Sequence, residues 1–196
     1  MKKSKKLSKN KKPVVIFLYG PIAAGKLTVA KVLSNKLQYT LTHNHAINDV
    51  VDHLFTRGTK ENGNVKEFLR NYLMEQAVKA GISLVTTYTY SHDFVYPSGV
   101  TEQQFVQNHK KKLTRLGARF LPIHLKAADR ELLRRVSTDS RKRFGKLKDK
   151  KILKELLKTK DWHTSPELKH NLVIDNTNLS PQKVANMIIK HFKIKP

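Results

Sequence analysis

Short apolar runs alternate with amphipathic stretches along most of the chain. Val14–Tyr19 is a continuous β-branched and aromatic run between Pro13 and Gly20, the pattern of a strand buried on both faces. In the next stretch, Gly25–Leu37, apolar residues recur at the spacing of one helical face. The pattern therefore predicts a buried strand, then a turn, then a helix at the start of the folded part of the chain.

The same periodicities predict five strands and seven helices. The strands are Val14–Tyr19, Tyr39–Thr42, Ile82–Thr87, Arg119–Leu125 and Leu172–Ile174. The helices are Gly25–Leu37, Ala46–Phe55, Val65–Ala80, Glu102–Leu116, Ala128–Val136, Lys150–Leu157 and Ser180–Phe192. Because parallel neighbours need crossover connections, this alternation predicts a three-layer α/β/α fold around a five-stranded parallel sheet. Residues 13–196 are predicted to form that single domain.

Length and cysteine content narrow the class of protein. The 196 residues suit one domain with a hydrophobic core. No cysteine is present, which excludes disulfides, thiolate metal sites and cysteine nucleophiles. The apolar stretch Pro13–Ala24 follows lysines as a secretion signal does, but Gly20 and Pro21 interrupt it, and no apolar run is long enough to span a bilayer. We therefore expect a cytoplasmic protein without a membrane span.

Positive charge is concentrated in two parts of the chain, whose formal net charge is +24. Residues 1–12 hold seven lysines and no acid, and residues 101–160 hold nineteen basic and six acidic residues. Such charge attracts phosphate-rich partners but says nothing about fold. The segment 1–12 is predicted to be a flexible basic tail, either a solubilising terminus or an arm for nucleic acid or a membrane surface.

The segment between the first strand and the first helix carries a phosphate-binding pattern. Two glycines separated by four residues precede a lysine, the spacing of a P-loop. The glycines permit backbone angles that a β-carbon forbids, the loop amides converge on an anion, and Lys26 adds a charge for the β- and γ-phosphates. The predicted nucleotide contacts are Gly20, Ala23, Ala24, Gly25, Lys26, Leu27 and Thr28.

The residue after the lysine departs from the usual P-loop pattern. P-loops place a serine or threonine there to bind Mg²⁺, whereas this chain has Leu27 and offers a hydroxyl one place later, at Thr28. No acidic residue follows the third strand until Asp93, although P-loop enzymes hold a metal-orienting carboxylate near that point. Thr28 is therefore the predicted protein ligand for Mg²⁺, with water supplying most of the remaining shell.

The Gly-Lys-x-Thr ending of the loop resembles that of nucleoside monophosphate kinases. The wider pattern is similar to small bacterial P-loop proteins of the shikimate kinase-like and AAA family ATPase kind. Two further segments carry that resemblance, His43-Asn44-His45 and Ile174–Ser180. The resemblance implies a P-loop NTPase fold, Mg-ATP as the phosphoryl donor, and Asn176 and Thr177 beside the nucleotide. It also implies a short, basic, arginine-bearing lid at about residues 137–149.

The lid suggested by this resemblance supplies catalytic candidates. Arg135 and Arg141 are expected to stabilise the transferring phosphoryl group, with Arg143 as a further candidate, because a guanidinium donates bidentate hydrogen bonds to phosphate. The alternative interpretation of this stretch is a solvated basic surface. True shikimate kinases have a glycine-rich turn after the third strand, where this chain has Thr86–Tyr90, and this departure argues against shikimate as the acceptor.

The predicted acceptor side lies at the carboxyl ends of the strands, where open parallel sheets bind ligands. The candidate substrate-binding residues are His43, Asn44, His45, Asp49, Arg70 and Tyr88. Asp93 and His43 are the candidates for orienting or deprotonating the acceptor hydroxyl, with Asp49 in reserve. Alternatively, the two histidines have a structural role or begin a metal site, and Arg70 forms a surface ion pair.

Three functions are consistent with these residues. The first is ATP-dependent transfer of a phosphoryl group to a small molecule, such as a nucleoside, a nucleotide or another metabolite. The second is a kinase or ATPase acting on nucleic-acid ends, which the positive charge favours, although few aromatic residues interleave the basic runs. The third is a nucleotide-binding regulatory protein without phosphoryl transfer. The lid arginines and the polar acceptor segments favour the first.

Overall fold

The strands of this protein form a single parallel sheet. A computed structural model describes residues 12–96, 98–138 and 146–195. The strands are β1 (Val14–Gly20), β2 (Thr40–His43), β3 (Leu84–Thr89), β4 (Arg119–Lys126) and β5 (Leu172–Asp175). All neighbouring pairs are parallel, and their order across the sheet is β2-β3-β1-β4-β5. The predicted α/β fold with a five-stranded parallel sheet is confirmed.

Helices cover both faces of this sheet. In the described ranges they are α1 (Lys26–Leu37), α2 (Asn44–Leu54), α3 (Lys60–Lys79), α4 (Glu102–Arg115), α5 (Asp129–Arg135), α6 (Lys150–Thr159) and α7 (Pro181–His191). α1 packs on α7 over one face, and α3 packs on α4 over the other. None of these helices has the length and apolar character needed to cross a membrane.

The central strand, β1, sends its side chains into two separate cores because successive residues of a strand point to opposite faces. Ile16 and Leu18 belong to the core beneath α1 and α7. Val15, Phe17 and Tyr19 belong to the core beneath α3 and α4. All five side chains are at most 1% exposed. This burial explains why the strand appears in the sequence as an unbroken apolar run.

β3 lies two residues further along the chain than the predicted strand Ile82–Thr87. The prediction ended at Thr87, where polar residues begin, but Tyr88 and Thr89 continue the ladder by pairing with Tyr19 and Gly20 of β1. Pairing with a buried neighbour thus outweighs the polar character of the segment. As a result, the last threonines of β3 reach the same sheet edge as the phosphate loop.

α3 begins at Lys60 rather than at Val65, the predicted start. The Thr59 hydroxyl caps the helix by accepting a hydrogen bond from the backbone N–H of Asn62 at 3.3 Å. Such a cap stabilises a helix start that hydrophobic periodicity does not mark. The extra turn brings polar residues of α3 toward the phosphate loop.

Several predicted features lie outside the described residues. These are most of the basic tail, and the centre of the predicted lid with Arg141 and Arg143. The described chain resumes at residue 146 and leads into α6, where the Asp149 carboxylate accepts hydrogen bonds from the backbone N–H groups of Lys151 at 2.6 Å and Ile152 at 3.2 Å. The functions of the tail and the lid stay predictions.

Candidate active site

The phosphate loop leads directly from β1 into α1. β1 ends at Gly20, and α1 begins at Lys26. Between them, Ala23 and Gly25 have left-handed φ angles of 65° and 83°. This turn places the first amides of α1 at the carboxyl edge of the sheet, where free N–H groups and the helix dipole attract an anion.

The side chain of Lys26 is held at this loop. Its Nζ donates hydrogen bonds to the carbonyl oxygens of Gly20 at 2.7 Å and Pro21 at 2.6 Å. Both carbonyls belong to the first residues of the loop, so the ammonium group lies within the turn. The contact of Lys26 with the β- and γ-phosphates stays a prediction.

A hydrogen-bonded bridge connects the loop to α5. Asn176 Nδ2 donates to the carbonyl of Ala24 at 2.7 Å, and Asn176 Oδ1 accepts from Arg135 Nη1 at 3.0 Å. Arg135 Nη2 donates to the carbonyls of Asn176 and Thr177 at 3.0 and 3.1 Å, and its Nε donates to Glu131 Oε1 at 2.6 Å. Asn176 is only 3% exposed, so its observed contacts position the loop and Arg135. The nucleotide contacts of Asn176 and Thr177 stay predictions.

We expect Asn176→Ala to lower the free energy of unfolding by about 1–3 kcal/mol, because the buried carbonyl of Ala24 would lose its donor. Urea unfolding measures this loss. Asn178→Ala is the matched control, since Asn178 is exposed two residues further along the same segment. Its effect should stay within about 0.5 kcal/mol. Equal losses in the two variants would contradict the bridge.

A cleft of about 520 Å³ surrounds the phosphate loop. Five cationic side chains line it, namely Lys26, Arg57, Lys66, Arg135 and Lys146. No aspartate or glutamate is found among the described residues that line the cleft. Four threonines, namely Thr28, Thr87, Thr89 and Thr138, line it as well, so the described wall offers Mg²⁺ hydroxyl groups but no carboxylate. Such a cleft suits a polyanion that brings its own metal ligands.

Two of these cations are held by Asp52 of α2. Its carboxylate contacts Lys66 Nζ, and it accepts hydrogen bonds from Arg57 Nη2 at 2.7 Å and Asn62 Nδ2 at 2.9 Å. Burial raises the pKa of Asp52, but hydrogen bonds from Lys66, Asn62 and Arg57 outweigh it and lower the pKa from 3.8 to about 2. Asp52 therefore stays charged at neutral pH and joins α2 to α3.

The His-Asn-His segment divides between two cavities. His45 lines the cleft, His43 lines an apolar cavity of about 230 Å³ beside β2 and α3, and Asn44 lines both. Burial and then the charge of Lys146 lower the pKa of His45 from 6.5 to about 4, so its imidazole is neutral at pH 7. Asp49 is exposed on α2. The described residues contain no group of three metal-ligating side chains that would support the metal-site alternative.

Asp93 belongs to a different network from the one predicted. Its Oδ1 accepts from Ser91 Oγ at 2.5 Å and from the backbone N–H of Asp161 at 3.1 Å, and its Oδ2 lies 3.5 Å from Lys160 Nζ. It does not line the cleft around the phosphate loop. These contacts join the segment after α6 to the end of β3. The geometry therefore favours a structural role for Asp93 over the predicted role as a base.

Arg70 and Tyr88 line a third cavity, of about 510 Å³, which adjoins the cleft. The two cavities share Asn44, Gly58, Asn62, Lys66 and Thr89. Arg70 donates from Nε to Asn44 Oδ1 at 2.7 Å and from Nη2 to Asn48 Oδ1 at 2.8 Å. These partners are neutral, so the ion pair considered for Arg70 is not what holds it in the described structure.

Comparison with known proteins bears on the fold. No protein-family model and no curated protein matches the sequence. A solved structure from Chloroflexus aurantiacus, named as a kinase, superposes with a TM-score of 0.67 at 19% identity, over 92% of this chain and 99% of its own. A sugar kinase from a Janibacter species superposes with a TM-score of 0.63 at 18% identity, over 94% of this chain and 96% of its own. Shikimate kinase from Acinetobacter baumannii, solved with shikimate, superposes with a TM-score of 0.58 at 18% identity, over 92% of this chain and 93% of its own.

The sheet order and the phosphate loop after β1 lead to the same fold as these superpositions. The chain has the fold of P-loop kinases, in the arrangement that shikimate kinases also have. At 18–19% identity the likeness extends to the fold alone. The reaction has to be argued from the site.

Proposed function

We propose that this protein is a phosphotransferase that moves the γ-phosphoryl group of ATP to a hydroxyl group of a small molecule. The observation that carries the proposal is the cleft around the phosphate loop, which five cationic side chains line, with no carboxylate among the described lining residues. The carboxylates of Asp52 and Glu131 pair with three of these cations, so positive charge stays in excess at the cleft, and such an excess concentrates anions such as polyphosphates. The presence of a sugar kinase and shikimate kinases among structures with this fold supports a small-molecule acceptor.

On the donor side, the amides at the start of α1 and Lys26 would bind the β- and γ-phosphates. Arg135 would face the transferring group, because Glu131 and Asn176 already fix its guanidinium beside the loop. A donor held in place before the reaction costs no reorganisation as charge develops. Mg²⁺, when bound with the nucleotide, supplies neutralising charge at the phosphates. Thr28, on α1 two residues after Lys26, would hold it, and phosphate oxygens and water suit the other positions.

On the acceptor side, the hydroxyl group would enter from the adjoining cavity. Its oxygen forms a bond to the γ-phosphorus while the bond to the bridging oxygen of ADP breaks, and the hydroxyl proton departs. His45 lines the cleft with a neutral imidazole, which would accept a hydrogen bond from the hydroxyl, and the proton would leave to water because the low pKa makes His45 a weak base. Asn44 lines both cavities and would orient the hydroxyl.

Heat-induced unfolding with Mg-ATP, Mg-GTP, ADP or no ligand tests the donor side. A nucleotide at a hundred times its Kd should stabilise the protein by about 2.7 kcal/mol, a rise in Tm of roughly 5–10 °C for a chain of this size. Transfer from γ-labelled ATP to a panel of hydroxylated compounds then tests the reaction.

Three results would contradict the proposal in different ways. If no nucleotide raises Tm at low or moderate salt, the donor site is wrong. If labelled phosphate goes to the end of an oligonucleotide and to no small molecule, the nucleic-acid alternative is correct. If Mg-ATP stabilises the protein but no acceptor is phosphorylated, the regulatory alternative is favoured.

A further inference from the structure

The third cavity, of about 510 Å³, contains a buried carboxyl group with an unpaired oxygen. Glu102, the first residue of α4, lines this cavity and is only 5% exposed. Its Oε2 has no hydrogen-bond partner among the described residues. A buried polar atom without a partner costs about 1–3 kcal/mol. A group kept at that cost needs an explanation beyond folding.

The start of α4 does not depend on Glu102 for its cap. The Thr101 hydroxyl accepts from the backbone N–H of Gln104 at 3.1 Å, and Gln104 Oε1 accepts from the backbone N–H of Thr101 at 2.9 Å. This reciprocal pair satisfies two of the free donors at the helix end. The Glu102 carboxyl group is therefore available for another purpose.

Two tyrosines and an arginine surround this carboxyl group. The Tyr88 hydroxyl contacts that of Tyr96, and it also interacts with the Glu102 carboxyl group. The Arg70 guanidinium lies 5.9 Å from the centroid of the Tyr88 ring. Burial, opposed by the Tyr88 hydrogen bond and the charge of Arg70, raises the pKa of Glu102 from 4.5 to about 8. The carboxyl group is thus largely neutral at pH 7 and can both donate and accept a hydrogen bond.

The charge of this cavity comes mainly from Arg70. Its hydrogen-bond partners, Asn44 and Asn48, are neutral amides that leave its charge in place. The other cation of the cavity, Lys66, is paired with Asp52. With Glu102 largely neutral, the cavity carries a net positive charge that favours an acceptor with an anionic group.

We propose that Glu102 is a specificity-determining residue of the acceptor site, and that the acceptor is a small polyhydroxylated molecule bearing one anionic group. Glu102 binds a hydroxyl other than the one phosphorylated, and Arg70 attracts the anionic group. The residues shared by the two cavities bring the reacting hydroxyl toward the phosphate loop. This inference rests on the proposed phosphotransferase function.

Glu102→Met and Glu102→Gln test the proposal in transfer assays with Mg-ATP. Methionine keeps the length of the side chain but cannot bind a hydroxyl, whereas glutamine keeps a donor and an acceptor. The probes are D-gluconate, D-glycerate and shikimate, with D-glucose as an uncharged counterpart. We expect the wild type to phosphorylate at least one anionic probe, and D-glucose less well.

For that probe, Glu102→Met should raise KM about tenfold or more, because a hydroxyl of the acceptor would lose its partner. The kcat and the KM for ATP should change less than about twofold, and Glu102→Gln should restore most of the loss. Glu75→Gln is the control, since Glu75 is a partly buried glutamate that pairs with Lys112 beside a different cavity. Its probe KM should equal that of the wild type.

An unchanged probe KM in Glu102→Met would overturn the proposal. So would a wild-type protein that Mg-ATP stabilises but that neither binds nor phosphorylates any anionic probe. Loss of Mg-ATP stabilisation in Glu102→Met would overturn it too, because the residue would then act on the fold. A wild type that Mg-ATP does not stabilise refutes the phosphotransferase function itself, and this inference with it.

Discussion

Lys26→Ala should lower any phosphoryl transfer by roughly 10²–10³-fold, the cost of removing one fixed charge-stabilising donor from an active site. It should also remove most of the stabilisation that Mg-ATP gives the wild type, about 2.7 kcal/mol at a hundred times the Kd. The reason is geometric. The ammonium group is held at the loop by the carbonyls of Gly20 and Pro21, and alanine leaves no cation in that turn.

Lys31→Ala is the matched control for this substitution. Lys31 is exposed on the same helix and does not line the cleft. Both variants lose one positive charge, so only a direct contact with the nucleotide separates them. Circular dichroism establishes that both are folded, and heat-induced unfolding with Mg-ATP gives the comparison. If Lys26→Ala were stabilised as much as Lys31→Ala, the phosphate loop would not be the nucleotide site.

Gly20→Ala should lower the free energy of unfolding by about 3–5 kcal/mol, because it adds overpacking to backbone strain, each costing about 1–3 kcal/mol. A β-carbon at Gly20 would lie 2.2 Å from the carbonyl oxygen of Leu125 and 3.0 Å from His124 Cδ2. The φ angle of Gly20 is 134°, which L residues rarely adopt. Relief would require β1 to move away from β4, with which Tyr19 is paired at His124.

Gly117→Ala separates these two costs. Gly117 has a φ angle of 89°, but no atom lies within 4 Å of the β-carbon that alanine would add. It should therefore show only the backbone cost, about 1–2 kcal/mol. Urea unfolding of both variants measures the difference. Equal losses in the two variants would mean that β4 lies further from Gly20 than the described contact with Leu125 indicates.

The phosphate loop can be predicted from the sequence because its determinants are contiguous. The apolar run Val14–Tyr19 marks a buried strand, the two glycines mark the turn, and the helical spacing after Lys26 marks α1. The local pattern matches the tertiary structure there because a parallel strand that is buried on both faces consists almost entirely of apolar residues. The alternation of strands and helices specifies the fold class because each of these elements is likewise marked by contiguous residues.

The acceptor side depends on contacts between segments that are distant in sequence. Asp93 follows a strand, as a base would, yet its carboxylate contacts the segment at Asp161. Lys66 and Glu102 look like ordinary solvated residues of helices, and only packing brings them to the cavities beside the phosphate loop. Periodicity shows which face of a helix is buried, but not which neighbour meets it. The sequence alone therefore determined the sheet and the phosphate loop, whereas packing between distant segments determined which polar side chains line the cavities beside that loop.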